Sequence, residues 1–217
     1  MQKDKINKIV KLLSSYKNSA TIKHEHDTDS QESLLKIAIK YANGGSVIES
    51  GSYIRSSINK NPHSFIAHFN MAKLFLKKNN LRNAITALES SIMLKPGNME
   101  ILLFLAETHE KFGNIQVAKD YFFKISKKNA RLFEPYLGLA RIFAKQKRWN
   151  DSINSLRKAK RIAPLEKVVF YDGGMIFLEK NDIDTALVYF LRAHKLDPDD
   201  KMINDMLNKF KTIKKIN

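Results

Sequence analysis

The chain has 217 residues, enough for one large domain or two small ones, and its 43% hydrophobic and 28% charged residues exclude wholesale disorder. It contains no cysteine, which excludes disulfide scaffolds, thiol nucleophiles and thiolate metal sites. The 38 Lys and Arg against 22 Asp and Glu leave a net charge of +16, which favours an anionic partner or surface and carries no information about fold.

No apolar run approaches the ~20 residues needed to span a bilayer, and residues 1–20 carry lysines throughout, so no signal-peptide core is expected. The first predicted element is an amphipathic helix over residues 3–17, with Ile6, Ile9, Val10, Leu13 and Tyr16 on one side and Lys3, Lys8 and Lys11 on the other. Three roles suit it: capping the array that follows, folding back into that array, or lying on a membrane surface. Residues 18–30 are polar and unpatterned and read as a linker.

From residue 31 the chain is periodic. Four of its five prolines, Pro62, Pro96, Pro164 and Pro198, are separated by 34, 68 and 34 residues, and Ala130 fills the vacant slot. With each slot as position 32, five units run over 31–64, 65–98, 99–132, 133–166 and 167–200. Position 8 is Ala38, Ala72, Ala106, Ala140 or Gly174, and position 20 is Ser50, Ala84, Ala118, Ser152 or Ala186, all small. Position 24 is large and apolar in every unit: Ile54, Leu88, Phe122, Leu156 and Phe190. Apolar positions 4, 7, 8 and 11 share one helical face, and 17, 20, 24, 27 and 28 another. The spacing predicts two antiparallel helices per unit, meeting where small residues let the backbones approach. Position 15 (Gly45, Asn79, Gly113, Lys147, Asn181) falls between them, and four of the five are residue types that tolerate the left-handed conformation ending a helix. Proline at 32 stops the second helix. Residues 201–213 close the pattern with a last amphipathic helix, Ile203, Leu207 and Phe210 on its apolar side, suited to covering the final unit.

Small 8, small 20, large 24 and proline 32 resemble the tetratricopeptide repeat, and the resemblance covers residues 31–200. Departures are Gly51 within a second helix, Ser57 at a small column, the missing proline of the third unit, and Gly173 at a position usually leucine. The resemblance implies an all-α, right-handed α-solenoid of five helix-turn-helix units plus a C-terminal capping helix. It further implies that first helices line a concave groove through positions 2, 5, 6, 9, 12 and 13. Those columns hold Leu35, Phe69, Leu103, Leu137 and Tyr171 at position 5; Asn70, Phe104, Gly138 and Asp172 at position 6; and Ile39, Lys73, Glu107, Arg141 and Met175 at position 9. Two readings of the position-5 stripe stay open: an exposed peptide floor, or packing between neighbouring first helices. Family members that grip acidic chaperone tails place Lys and Asn at 5 and 9, then Asn at 6, then Lys and Arg at 2 and 6 in successive units. Asn70 fits, but Leu35, Ile39, Glu100 and Phe104 occupy the other slots, so that clamp is not expected here.

Charge is uneven along the chain. Residues 124–161 have a net charge of +10 and residues 165–200 one of −4. The basic face holds Lys124, Lys127, Lys128, Arg131, Lys147, Arg148, Arg157, Lys158, Lys160 and Arg161, mostly on outer edges and turns. It reads either as a solvated face or as a surface for an acidic protein or anionic membrane; nucleic acid ranks lower, because the aromatic and glycine pattern of a stacking platform is missing. Catalytic signals are poor. His24, Glu25 and His26 lack a third ligand, His109 and His68 sit in core and packing columns, and no phosphate loop or nucleophile elbow appears, so neither a metal nor a cofactor is expected. The expectation is a non-enzymatic cytoplasmic adaptor that binds a partner polypeptide along an apolar groove; the alternatives are an electrostatic tether through 124–161 and a self-assembling homo-oligomeric scaffold.

Overall fold

The computed structural model of the chain describes residues 30–216, and the expectations for 3–17, for the linker up to residue 29 and for His24–Glu25–His26 lie outside them. The described residues form helices joined by turns, with no strand among them. The chain divides into two compact units, Met1–His63 and Ser64–Asn217.

The first unit contains one described helix pair, α1 (Gln31–Asn43) and α2 (Val47–Lys60). The Ser30 hydroxyl caps α1 by accepting the Ser33 N–H. Ala38 and Ser50 are fully buried where the helices meet, and Ile54 beside them is also core.

The second unit contains four pairs and a closing helix. The pairs are α3 (Phe65–Lys77) with α4 (Leu81–Leu94), α5 (Met99–Phe112) with α6 (Ile115–Lys128), α7 (Glu134–Lys145) with α8 (Trp149–Ile162), and α9 (Lys167–Glu179) with α10 (Ile183–Leu196). The last helix is α11 (Lys201–Ile216). Side-chain caps start five of these helices: Ser64, Asn80, Asn98, Asp182 and Asp200 each accept the N–H three residues on.

The small columns do what their size allows. Ala72, Ala84, Ala106, Ala118, Ala140, Ser152 and Ala186 have no exposed surface, and the large residues Leu88, Phe122, Leu156 and Phe190 pack beside them. In the α7–α8 pair the Ser152 hydroxyl donates to the Ala140 carbonyl at 2.8 Å, so the helices are bonded as well as packed at their crossing. Ile203, Leu207 and Phe210 of α11 are buried in the same core as Phe177 and Phe190, which covers the last pair.

The turn within each pair uses one left-handed residue at position 15, and all five positions have positive φ: Gly45 84°, Asn79 54°, Gly113 95°, Lys147 57° and Asn181 64°. Lys147 is the one residue type there with no local reason to adopt it. A left-handed residue with a Cβ costs about 1–2 kcal/mol, of which glycine's extra unfolded-state entropy returns about 0.5–1. Lys147→Gly is therefore expected to stabilise the chain by about 0.5–1 kcal/mol. Thermal melts check it: a gain of about 2 °C supports the turn's strain, and a loss contradicts it.

The third repeat, with Ala130 in the proline slot, ends with the same side-chain turn as the first repeat, where Asn61 accepts the His63 N–H at 3.1 Å beside Pro62. Asn129 accepts the Arg131 N–H on its side-chain oxygen at 3.0 Å, closing a side-chain turn, and α7 then starts at Glu134 with Pro135 in its first turn, where a missing N–H costs nothing.

Candidate functional site

Within the second unit the first helices α5, α7 and α9 lie side by side, and the columns expected to face a groove run along them. Their centre is a charged seam. Arg141 of α7 donates from Nε and Nη2 to the two carboxylate oxygens of Glu110 on α5, at 3.1 and 2.8 Å. Its Nη1 donates to Asp172 of α9 at 2.7 Å. Lys145 stands 3.6 Å from Glu110. One guanidinium thus ties three successive repeats, which its planar fork permits and a lysine would not.

The seam is largely desolvated, with side-chain exposures of 28% for Arg141, 6% for Glu110 and 14% for Asp172. Burial works against the Arg141 charge, but hydrogen bonding and attraction from Glu110 and then Asp172 outweigh it and raise its pKa. Burial pushes Asp172 above its ordinary pKa, with Arg141 pulling the other way. Glu107, one turn before Glu110, is raised by burial too, against the pull of Arg141 and Lys111.

Apolar groups flank the seam. Leu103, Phe104, Tyr171 and Met175 are half-buried. Phe104 meets Phe69 edge to face at 5.2 Å, and the Lys73 ammonium lies 4.2 Å from the Phe69 ring centre and 3.3 Å from the Glu100 carboxylate. Tyr171 packs edge to face on Phe190 at 5.7 Å.

Of the two readings of position 5, packing accounts for more of it. Phe69 and Leu137 are buried at 7% and 3% exposure, Leu35 is buried within the first unit, and only Leu103 and Tyr171 keep a partial surface. Within the second unit, Phe69 meets Phe104 of the next first helix and Leu137 shares a core with Val169 and Phe170 of the next. Gly138, in a groove column, is likewise buried, with its α-carbon against the Phe122 ring. Asn70 is half-buried; Ile39 of the first unit stays 45% exposed. Arg141, Asp172 and Lys73 do not stand free beside the stripe: each is already engaged within the chain.

The basic residues separate into two groups. Lys124, Lys127, Lys128, Arg131 and Lys147 are exposed, and Arg148 is paired with Asp151 at 2.7 Å and stacked on Phe143. Arg157, Lys158, Lys160 and Arg161 instead converge on an open cleft of about 820 Å³ together with Phe170 and Arg192. Arg192 escaped the sequence reading because it belongs to the net acidic stretch; packing α10 beside α8 brings it there. His109 is buried, takes a 3.2 Å contact from the Asn114 amide, and is held below its ordinary pKa by that burial. Among the described residues there is no cluster of three metal-capable side chains, and no helix is long and apolar enough to cross a membrane.

Comparison with known proteins places this geometry in context. Residues 66–98 match the family model of the tetratricopeptide repeat. The protein CTR9 homolog of Arabidopsis thaliana is 24% identical over 178 residues, 77% of this chain, and the chain spans 16% of that relative's length. A thermophilic TPR protein of Thermus thermophilus matches with a TM-score of 0.70 at 15% identity, covering 83% of this chain and 98% of its own. YrrB, described as a TPR protein with an unusual peptide-binding site, matches with a TM-score of 0.58 at 14% identity, over 81% of this chain and 90% of its own. Likeness at these identities is one of fold.

Proposed function

We propose, from the premise that this chain is a tetratricopeptide-repeat protein with an all-α solenoid fold, that it is a non-enzymatic scaffold holding a segment of a partner polypeptide on the face formed by α5, α7 and α9. The observation that carries the reading is the pairing of half-buried apolar groups with a rigid charged seam on one face. Phe104, Leu103, Tyr171 and Met175 keep partial exposure around Glu107, Glu110, Arg141 and Asp172. Half-exposed aromatic and methionine side chains are the kind of surface that anchors a helix or an extended segment. Because Arg141 is already satisfied, the seam acts as a fixed rib that sets the spacing of the anchors, and partner charge is read by its rim, at Lys145 and Glu107. The fold of YrrB supports the reading as a relative whose name includes a peptide-binding site.

The test replaces Phe104 and Met175 together by Asp. Helical content is expected to persist, since both side chains are only half-buried, and retention of the host partner, identified by crosslinking from position 104, should fall about tenfold or more, as for loss of two interface anchors. Undiminished retention by the double variant removes this face from the account.

A further inference from the structure

The cationic cleft lies apart from the proposed peptide face and has its own chemistry. Several cations of the second unit are held by carboxylates: Lys73 by Glu100, Arg148 by Asp151, and Lys167 by both Asp197 and Asp200; Lys124, Lys127, Lys128 and Arg131 stand exposed and dispersed without one among the described residues. The cleft differs in gathering five cations around one recess. Among the described residues no carboxylate lies within ion-pair distance of Arg157, Lys158, Lys160, Arg161 or Arg192. Their internal contacts are with neutral groups. Arg157 donates to the Asn154 side-chain oxygen at 3.0 Å, Lys160 lies 3.5 Å from the Tyr189 hydroxyl, Lys158 lies 5.6 Å from the Tyr136 ring centre, and Arg192 is 5.7 Å from that of Phe170. These contacts position the cations without neutralising them, and five like charges around one recess repel each other unless an anion enters.

We infer that the cleft formed by α8, α9 and α10 binds a small soluble ligand carrying two or three clustered phosphate groups. The cleft's volume of about 820 Å³ is that of a small-molecule site, within the usual range of ~300–1,000 Å³. Charge density selects the chemistry. A carboxylate supplies one negative charge per residue of an acidic peptide, so few fit in that volume, whereas each phosphate supplies about −1.5 to −2. Two or three phosphates balance five cations. Three of those cations are arginines (Arg157, Arg161 and Arg192), whose forked donors match phosphate oxygens. Phe170, at 8% exposure, offers too little ring face to stack a base, which argues against a single-stranded nucleic acid.

Inorganic tripolyphosphate is the probe, titrated calorimetrically into the full chain at about 0.15 M salt, where diffuse surface attraction is screened beyond ~8 Å. The expected result is one site per chain, with orthophosphate binding far more weakly. Arg157→Gln, Arg161→Gln and Arg192→Gln together should weaken binding about tenfold or more, through loss of charge-assisted contacts. Lys124→Gln, Lys127→Gln and Arg131→Gln together remove the same charge from the neighbouring face and should change it less than about twofold. Arg192→Gln alone, an exposed change on a different helix, keeps the question decidable if the triple variant does not fold. No binding, several sites per chain, or equal weakening by both triples overturns the inference. So does tighter binding, through the same residues, of a single-stranded oligonucleotide or of phosphatidylserine vesicles.

Discussion

Arg141→Met is expected to destabilise the protein by about 3 kcal/mol at neutral pH, and the loss should shrink as the solution is acidified. Methionine approximates the alkyl stem of arginine, so the change mostly removes the guanidinium and leaves the Glu110 and Asp172 carboxylates, at 6% and 14% exposure, without their main partner. A buried charge stripped of its counter-ion costs more than the pair was worth. The pH sign follows from protonation. Asp172 and Glu107 already have folded pKa values above the ~4 of an unfolded carboxyl, so the native state holds their protons more tightly, and their contribution to stability falls as pH rises through that window. Without Arg141 the native carboxylates prefer their protons more strongly still. The deficit of the variant is then greatest near pH 7, where they must be ionised, and smallest towards pH 4–5, where protonation removes the stranded charge. Urea unfolding of both proteins at several pH values checks this. A deficit of the same size at every pH would mean that Arg141 contributes packing alone.

Gly138→Leu should cost a similar amount, about 3 kcal/mol, with a fall in melting temperature of roughly 6–12 °C. A Cβ at position 138 would stand 2.3 Å from the tip of the Phe122 ring, and that ring has no exposed surface, so it cannot swing into solvent. The aromatic ring of α6 occupies the space a side chain on α7 would need, which makes the pair a size exchange across the junction of two repeats. Combining Gly138→Leu with Phe122→Leu should recover a large part of the loss, because the ring's volume is then vacated. If the double variant is only as stable as the sum of the singles predicts, the two residues are not competing for that space.

The same exchange explains Gly173, which departs from the repeat pattern where leucine is usual. A Cβ there would meet the Tyr189 ring at 2.3 Å, so tyrosine from α10 fills the gap. Nothing in the 34-residue spacing indicates that Tyr189 compensates for Gly173, since the two are linked only by how their helices cross.

Periodic features were legible from residues alone because each acts through local geometry. A left-handed turn needs position 15, two close backbones need small side chains at 8 and 20, and helix ends need a cap or a proline; all recur at a fixed interval and depend on neighbours a few residues away. The all-α architecture of paired helices and the covering helix α11 follow from those columns, and the side-chain turn made by both Asn61 and Asn129 closes a second helix with or without a proline at position 32.

What a side chain does once helices pack was decided by the tertiary structure. Position 5 reads as one apolar stripe in the sequence, yet Phe69 and Leu137 are core while Leu103 and Tyr171 keep surface, because exposure depends on how closely the next first helix approaches. Arg141 reads only as one member of a groove column and is the centre of a three-repeat ionic bridge to residues 31 positions away on either side. The cationic cleft gains Arg192 from a stretch that is acidic in sequence. Charge along the chain is a one-dimensional sum; a binding site depends on which charges face one another, and that is fixed only when α8, α9 and α10 come together.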